Sequence, residues 1–225
     1  MILIIDYGMG NIHSVKRKLE LLKVDCMVSS DPADLIKAEK IILPGVGHFG
    51  KAMENLQKGG WVEPLNKAVL EHKKPILGIC LGMQLMTRGS EEGSRWLSGE
   101  NQESGVWSVE RGNLIEGLGW FDAEVVRLEP KDKLRYKVPH TGWNTIEYTD
   151  TDPILEDVPS GSEVYFVHTF AVLNAPEEEV LTRTTYESDF VSALKKENIV
   201  GMQFHPEKSH GVGMTLLKNF VLGSF

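Results

Sequence analysis

The stretch Pro75-Ile76-Leu77-Gly78-Ile79-Cys80-Leu81-Gly82-Met83-Gln84-Leu85-Met86 (PILGICLGMQLM) decides how this 225-residue chain is read. Residues 75–79 are a short apolar run of buried-strand character, and MQLM has helical character, so Cys80 falls where a strand turns sharply into a helix. This is the G-x-C-x-G form of a nucleophile elbow. Glycines two positions before and after the cysteine leave room for a strained turn, and the thiol is lifted above the sheet edge. The backbone N–H of Leu81 then points where an oxyanion forms, and the helix N-terminus favours thiolate. The bland alternative is a cysteine serving as a small buried apolar residue.

Outward from the elbow, strands and helices alternate. Met1 to Ile5 is a β-branched apolar run closed by Asp6, Gly8 and Gly10, which reads as a strand buried on both faces followed by a tight turn. A helix follows, with Asn11 as its expected cap, Ile12, Val15, Leu19 and Leu22 at helical spacing, and Lys16, Arg17, Lys18 and Glu20 on the wet side. Apolar runs recur at Val24 to Val28 and Lys40 to Leu43, with helical segments near Ala33 to Ala38, Gly50 to Gln57 and Val62 to His72. The predicted class is α/β, with a largely parallel central sheet flanked by helices. From Ala123 the strands AEVVRL, EVYFVHTF, EEVLTRTTY, FVSALKKE and IVGMQF read as an additional antiparallel or mixed region. A last amphipathic helix is expected from about Gly213 to Leu222. Arg88 to Gly117, rich in Gly, Ser and Glu with Trp96 and Trp107, lacks periodicity, and residues 89–117 read as a surface insertion. Neither repeat nor linker interrupts the chain, so one domain over 1–225 is expected.

Composition narrows the function. A formal charge of −8 and an isoelectric point near 5.4 disfavour nucleic-acid binding, which calls for a basic patch. Cys26 and Cys80 are the two cysteines, 54 positions apart, so neither a disulfide framework nor a structural zinc site is indicated. MILIIDYG has no basic n-region and too short an apolar run for a signal peptide, and nothing later approaches a membrane span. A cytoplasmic protein acting on small or protein partners is expected.

A cysteine nucleophile needs a base, and the base needs an orienter. In Gly201-Met202-Gln203-Phe204-His205-Pro206-Glu207, His205 and Glu207 stand two positions apart, which in extended backbone places both side chains on one face. Pro206 fixes φ between them. Glu207 is then placed to hold the imidazole tautomer that offers a free nitrogen to the Cys80 thiol. A metal reading would recruit His205, Glu207 and His210, but it lacks a cysteine pair or H-E-x-x-H spacing. Neither metal nor cofactor is expected. Pro44-Gly45-Val46-Gly47 ends the third apolar run, and a glycine turn at the carboxyl end of a parallel strand is a common ligand site. Its amides are candidates for a second oxyanion donor; a loop that merely needs positive φ is the alternative. Gly8-Met9-Gly10 is not a dinucleotide loop, because His13 replaces its third glycine.

Together PGVGHFG, GICLGMQLM, GMQFHPEKS, YFVHTF and PHTGWN resemble the class I, triad-type glutamine amidotransferases. More narrowly, the set is similar to the glutaminase subunit of imidazole glycerol phosphate synthase, from IDYGMGNIHSV to the final helix. The resemblance implies a triad of Cys80, His205 and Glu207, with an oxyanion hole from the Leu81 N–H and the Val46 or Gly47 amide. It assigns recognition of L-glutamine to Gly47, Gln84, Glu92, His168 and Thr169. Gln84 lies one helical turn past the nucleophile, and Glu92 offers a carboxylate to the substrate's α-ammonium group; an ordinary solvated helix residue is the alternative for Gln84. Asn11, His140, Trp143 and Lys208 fall on or near the family's docking face for a synthase or cyclase subunit, expected as a heterodimer. A solvated lysine and a core tryptophan are the alternatives for Lys208 and Trp143.

Two departures bear on the partner. Trp96 to Asn113 is an apparent insertion before GLGWFDAEVVRL, and Phe170 and Thr141 stand where the histidine-pathway enzymes often carry tyrosine and methionine. GLGWFDAEV is equally similar to paralogues that supply ammonia to surface-polysaccharide amidotransferases. The resemblance therefore implies a glutaminase delivering ammonia to a histidine-pathway cyclase, with the polysaccharide system as the alternative.

Overall fold

The computed structural model describes residues 1–93 and 114–223. Four short apolar runs form the parallel core: β1 (Ile2–Ile5), β2 (Cys26–Ser29), β3 (Lys40–Gly45) and β4 (Ile76–Cys80), in the order β2-β1-β3-β4. The helices between them are α1 (Ile12–Leu21), α2 (Phe49–Lys58) and α3 (Val62–Asn66). Leu3 and Ile5 of β1 face a core containing Phe49, Leu56 and Trp61, and Ile2 and Ile4 face one containing Val15, Leu19, Leu216 and Phe220. Because successive side chains of a strand point to opposite faces, only a strand covered on both sides tolerates an unbroken apolar run. Each fully buried Leu, Ile or Phe contributes about 1.5–3 kcal/mol to holding these layers together.

The elbow helix α4 (Leu81–Leu85) follows β4 directly and leads into β5 (Thr87–Ser90). The later strands are β6 (Ile115–Glu116), β7 (Phe121–Arg127), β8 (His140–Ile146), β9 (Ser162–His168), β10 (Phe170–Val172), β11 (Val180–Tyr186), β12 (Ser188–Lys196) and β13 (Ile199–Met202), before the last helix, α5 (His210–Leu222). β13 inserts parallel beside β4; the sheet then continues through β12, β10, β7, β5 and β6, with β11 pairing β12. β12 and β10 run antiparallel to their neighbours, whereas β5 is parallel to β7. β8 and β9 form a separate antiparallel pair, from which Ile146, Val164 and Phe166 enter the same core as α5. The α/β class with a parallel centre and a mixed flank is as expected.

Several local expectations need correction. Asn11 occupies the N-cap of α1, yet its side chain caps nothing; only its carbonyl takes the Val15 N–H, at 3.2 Å. The helix expected near 33–38 is a 3₁₀ segment, Pro32–Lys37, and the one expected over 62–72 widens to π geometry at Lys67–Glu71. The surface excursion expected over 89–117 starts and ends inside the sheet: Gly89 pairs with Glu116 and Ser90 with Ile115. The proposed insertion from Trp96 to Asn113 lies outside the described residues.

Candidate active site

Adjacent registers bring the carboxyl ends of three parallel strands level. Gly45 of β3 pairs with Cys80, and Met202 of β13 pairs with Ile79. The loops after β3, β4 and β13 therefore meet at one sheet edge, where open α/β sheets hold their ligands.

Cys80 sits at φ 54° and ψ −110°, a conformation that costs a non-glycine residue about 1–3 kcal/mol and persists only where surroundings enforce it. The enforcement is visible on both sides. A Cβ on Gly82 would lie 1.9 Å from the Leu43 carbonyl oxygen, and one on Gly78 would lie 2.7 Å from the Met83 nitrogen. The elbow glycines are thus required by close backbone approach rather than by their own dihedrals.

His205 follows β13 and is pinned from the side of β9. Its N–H donates to the Tyr165 carbonyl at 2.9 Å, while Ser209 Oγ donates to the His205 carbonyl at 2.6 Å and accepts the Tyr165 N–H at 3.0 Å. Nδ1 of His205 bonds Glu207 Oε1 at 2.8 Å, with both side chains about 1% exposed. Nε2, the nitrogen left to Cys80, is buried and closes no hydrogen bond of normal geometry among the described residues. Burial works to lower the His205 pKa, but the Cys80 sulfur and the Glu207 carboxylate outweigh it and push it up to about 9. The imidazole accordingly carries its proton at neutral pH.

These groups open onto a cavity of about 250 Å³. Val46, Gly47, Leu81, Gln84, Glu92, His168 and Thr169 all line it beside Cys80 and His205, joined by Pro139, Val167 and Phe170. Glu207 stands behind His205, out of the cavity. Gly47 has φ +108°, so the glycine turn does adopt positive φ while lining the cavity. Gln84 is 5% exposed, which removes the solvated alternative; its Nε2 donates to the Phe170 carbonyl at 2.9 Å and to Gln203 Oε1 at 3.0 Å. Glu92 Oε2 accepts the Phe49 N–H at 2.8 Å, so this carboxylate is fixed at the start of α2 as well as at the cavity wall. A larger hollow of about 800 Å³ along residues 148–159 carries neither cysteine nor histidine.

The His168 tautomer follows from its partners. Nδ1 meets the Phe170 carbonyl at 2.9 Å and must donate, so Nε2 accepts from His140 Nδ1 at 3.0 Å. Burial pushes the His140 pKa down to about 4, and burial together with His140 pushes that of His168 down to about 3, so both are neutral at pH 7. This corrects the expectation for His140. It is 3% exposed and stacked between Phe166 and Tyr186, which leaves no side-chain surface for docking.

The other interface candidates are accessible. Trp143 is 44% exposed, stacked on His210 with centroids 4.9 Å apart and edge-on to Tyr165. Lys208, exposed, lies over the same tyrosine ring at 5.7 Å. α1, whose first turn Asn11 precedes, packs against Pro206–Lys208. Among the described residues no cluster of three or more His, Cys, Asp or Glu has metal-binding geometry, and no helix is long and apolar enough to cross a membrane.

Two residues at the site escaped the sequence reading. Gln203, fully buried, donates from Nε2 to the Cys80 sulfur at 3.7 Å. Tyr7, 6% exposed, has a buried hydroxyl without a hydrogen-bond partner among the described residues, and burial and then Cys80 raise its pKa. The signal for Gln203 was a polar residue two positions before His205, just past the apolar run that forms β13, whereas Glu207 reaches His205 from a 3₁₀ turn, Pro206–Lys208, and not from the extended backbone expected; nothing in the sequence marked Tyr7.

A family model described as glutamine amidotransferase class-I matches residues 3–224. Imidazole glycerol phosphate synthase subunit HisH 2 of Methanococcus maripaludis is 41% identical over 221 residues, spanning 98% of either chain. Subunit HisH 1 of Campylobacter jejuni (strain 81-176) is 42% identical over 221 residues, again 98% of each. Among solved structures, a glutamine amidotransferase superposes with a TM-score of 0.71 at 15% identity, covering 99% of this chain and 98% of its own. PurLQS from Thermotoga maritima gives 0.68 at 15%, covering 98% and 97%; at such identities these two speak for the fold alone. Fold, family match and near-full-length identity of about two residues in five agree: the chain belongs to the class I glutamine amidotransferases.

Proposed function

We propose that this chain is the glutaminase subunit of an imidazole glycerol phosphate synthase, hydrolysing L-glutamine and handing the ammonia to a cyclase subunit with which it pairs as a heterodimer. One observation carries the chemistry: His205, held by the buried Glu207 carboxylate, lines the same cavity as Cys80, and the Cys80 sulfur lies close enough to help raise the imidazole's pKa. A cavity of about 250 Å³, below the range usual for drug-sized ligands, suits an amino acid. The names carried by the near-full-length relatives favour the cyclase over a polysaccharide amidotransferase as the ammonia acceptor.

The Cys80 sulfur, its proton held on His205, attacks the side-chain amide carbon of glutamine. The tetrahedral oxyanion is taken up by the Leu81 N–H and the Val46 or Gly47 N–H; each such donor contributes on the order of 10²-fold in rate. His205 gives its proton to the departing nitrogen, and ammonia leaves as the thioester forms. Water, deprotonated by His205, then attacks the thioester carbon; the C–S bond breaks, glutamate leaves, and the sulfur stays on Cys80 with the proton returned to the Cys80–His205 pair. Glu207 holds the tautomer throughout and stabilises the imidazolium. Gly47, Gln84, Glu92, His168 and Thr169 bind glutamine, with the Glu92 carboxylate opposite the α-ammonium. Neither metal nor organic cofactor enters these steps. Trp143 and Lys208 anchor the cyclase, Asn11 lies near that face, and the compartment is the cytoplasm. The amidotransferase domain comprises residues 1–225.

Ammonia released without an acceptor is wasted, so turnover is coupled to the partner. Glutamate release is measured for the full chain alone and with a cyclase subunit and its ligand. Low activity alone and strong stimulation by the cyclase are expected; high turnover that ignores the cyclase contradicts the coupling, and stimulation only by a sugar amidotransferase contradicts the assigned acceptor.

A further inference from the structure

We infer that Gln203 is a positioning residue that joins the nucleophile to the glutamine pocket, its amide N–H held on the Cys80 sulfur and its carbonyl fixing the orientation of Gln84. This rests on the glutaminase reading above. The orientation of both amides follows from one backbone group. The Phe170 carbonyl can only accept, so the Gln84 atom 2.9 Å from it is nitrogen. That same nitrogen lies 3.0 Å from the Gln203 side chain, which must present its oxygen there, and Gln203 Nε2 is therefore the atom 3.7 Å from the Cys80 sulfur. Flipping Gln203 would set two donors against each other, and flipping Gln84 would set its oxygen against the Phe170 and Gln203 oxygens, at a site where Gln203 is fully buried.

Two consequences follow. Both Gln84 N–H groups are spent, on Phe170 and on Gln203, so the group Gln84 offers the cavity is its carbonyl oxygen. Gln84 therefore reads N–H groups of the ligand. At the sulfur, the Val167 carbonyl lies at 3.9 Å and can accept only from a thiol S–H, the state before the proton passes to His205. Once that proton is lost the Val167 oxygen repels the sulfur, and the Gln203 N–H is the neutral donor that remains. The other titratable groups acting on or lining the cavity with the sulfur are His205, backed by Glu207, the Tyr7 hydroxyl, His168 and Glu92. His205 supplies the charge and the proton, whereas Gln203 supplies a fixed direction that does not titrate.

The experiment is iodoacetamide alkylation of Cys80 against pH, in the full chain carrying Cys26→Ser, with glutamine KM and kcat measured beside it in the presence of a cyclase subunit. Gln203→Met, of similar length and without donor or acceptor, is expected to move the alkylation midpoint up by about one pH unit and slow the reaction about tenfold below it. Its KM for glutamine should rise as its kcat falls. Gln84→Met, with the Gln203 N–H still in place, is expected to raise KM while keeping the wild-type alkylation profile. As a check independent of how Gln203→Met folds, the Gln203 side-chain amide signals in the ¹⁵N-labelled wild-type chain should shift as Cys80 titrates and stop responding in Cys80→Ala. An alkylation profile unchanged by Gln203→Met, or amide signals indifferent to Cys80, overturns the assignment. Alkylation needs no turnover, so a chain that releases no glutamate under any condition refutes the glutaminase reading while the profile still reports on Gln203.

Discussion

Replacing Glu207 by Gln isolates what the carboxylate does for His205, because the amide keeps its shape and removes its charge. A hydrogen bond to a charged group contributes about 1.5–3 kcal/mol and a neutral one about 0.5–1.5 kcal/mol, so the change removes roughly 1–1.5 kcal/mol of imidazolium stabilisation across the 2.8 Å contact. That equals about one pH unit, moving His205 from about 9 to about 8. Because acylation needs the proton that His205 gives to the leaving nitrogen, the basic limb of kcat/KM should move down with it. At pH 8.5 the rate should drop about threefold more than at pH 6.5, on top of a pH-independent loss on the order of 10²-fold or greater from the relaxed tautomer and orientation. Glutamate release with the cyclase present between pH 6 and 10 reads the limb, and NMR titration of His205 reads the pKa directly. Stability follows the same linkage. A folded pKa near 9 against about 6.5 unfolded gives stability fully present below pH 6.5 and lost as pH rises through 9, and Glu207→Gln should shrink that loss. A His205 titration and a basic limb that both stay in place would refute the reasoning.

Three further expectations come from the same geometry. Cys80→Gly should unfold about 1 kcal/mol later than Cys80→Ala in urea, since only glycine relaxes φ 54° and ψ −110°; equal stabilities would mean the elbow stores no strain. Gly82→Ala should lose about 3 kcal/mol and most of its activity, because the new Cβ meets a backbone oxygen at 1.9 Å rather than a yielding side chain, and near-wild-type melting would contradict it. His140 and His168, held near 4 and 3 when folded against about 6.5 unfolded, lend stability present above pH 6.5 and lost as pH falls toward their folded values. Each should cost about 1.5 kcal/mol between pH 6.5 and 5, and urea midpoints that stay flat over that interval would exclude the neutral pair.

The central strands were legible because the parallel centre is buried on both faces: ILII and ILGI are buried throughout, as their composition requires. Thr87–Ser90 was not, since TRGS has no apolar pattern and becomes a strand only by pairing with β7 and β6. β8 was read as a docking segment rather than a strand, because HTGWNTI breaks alternation with Gly142 and an exposed Trp143, and its pairing with β9 is tertiary. At the site, residues from the elbow, the glycine turn and the His-Pro-Glu run gather as their strand ends implied. Hidden from sequence were the facts that depend on distant partners: His140 buried on His168, Glu92 tied to Phe49, Gln203 bridging Gln84 and the sulfur, and Tyr7 beneath the elbow.

The claim beneath all of this is that Cys80 is the nucleophile of a glutamine pocket. An electrophilic glutamine analogue, incubated with the full chain and its cyclase partner and followed by peptide mass spectrometry, addresses it directly. The account predicts one adduct on Cys80, prevented by excess L-glutamine and absent in Cys80→Ala while Cys26 stays unmodified. Labelling of Cys26 in its place, or adduct formation on Cys80 that glutamine does not slow, would contradict it.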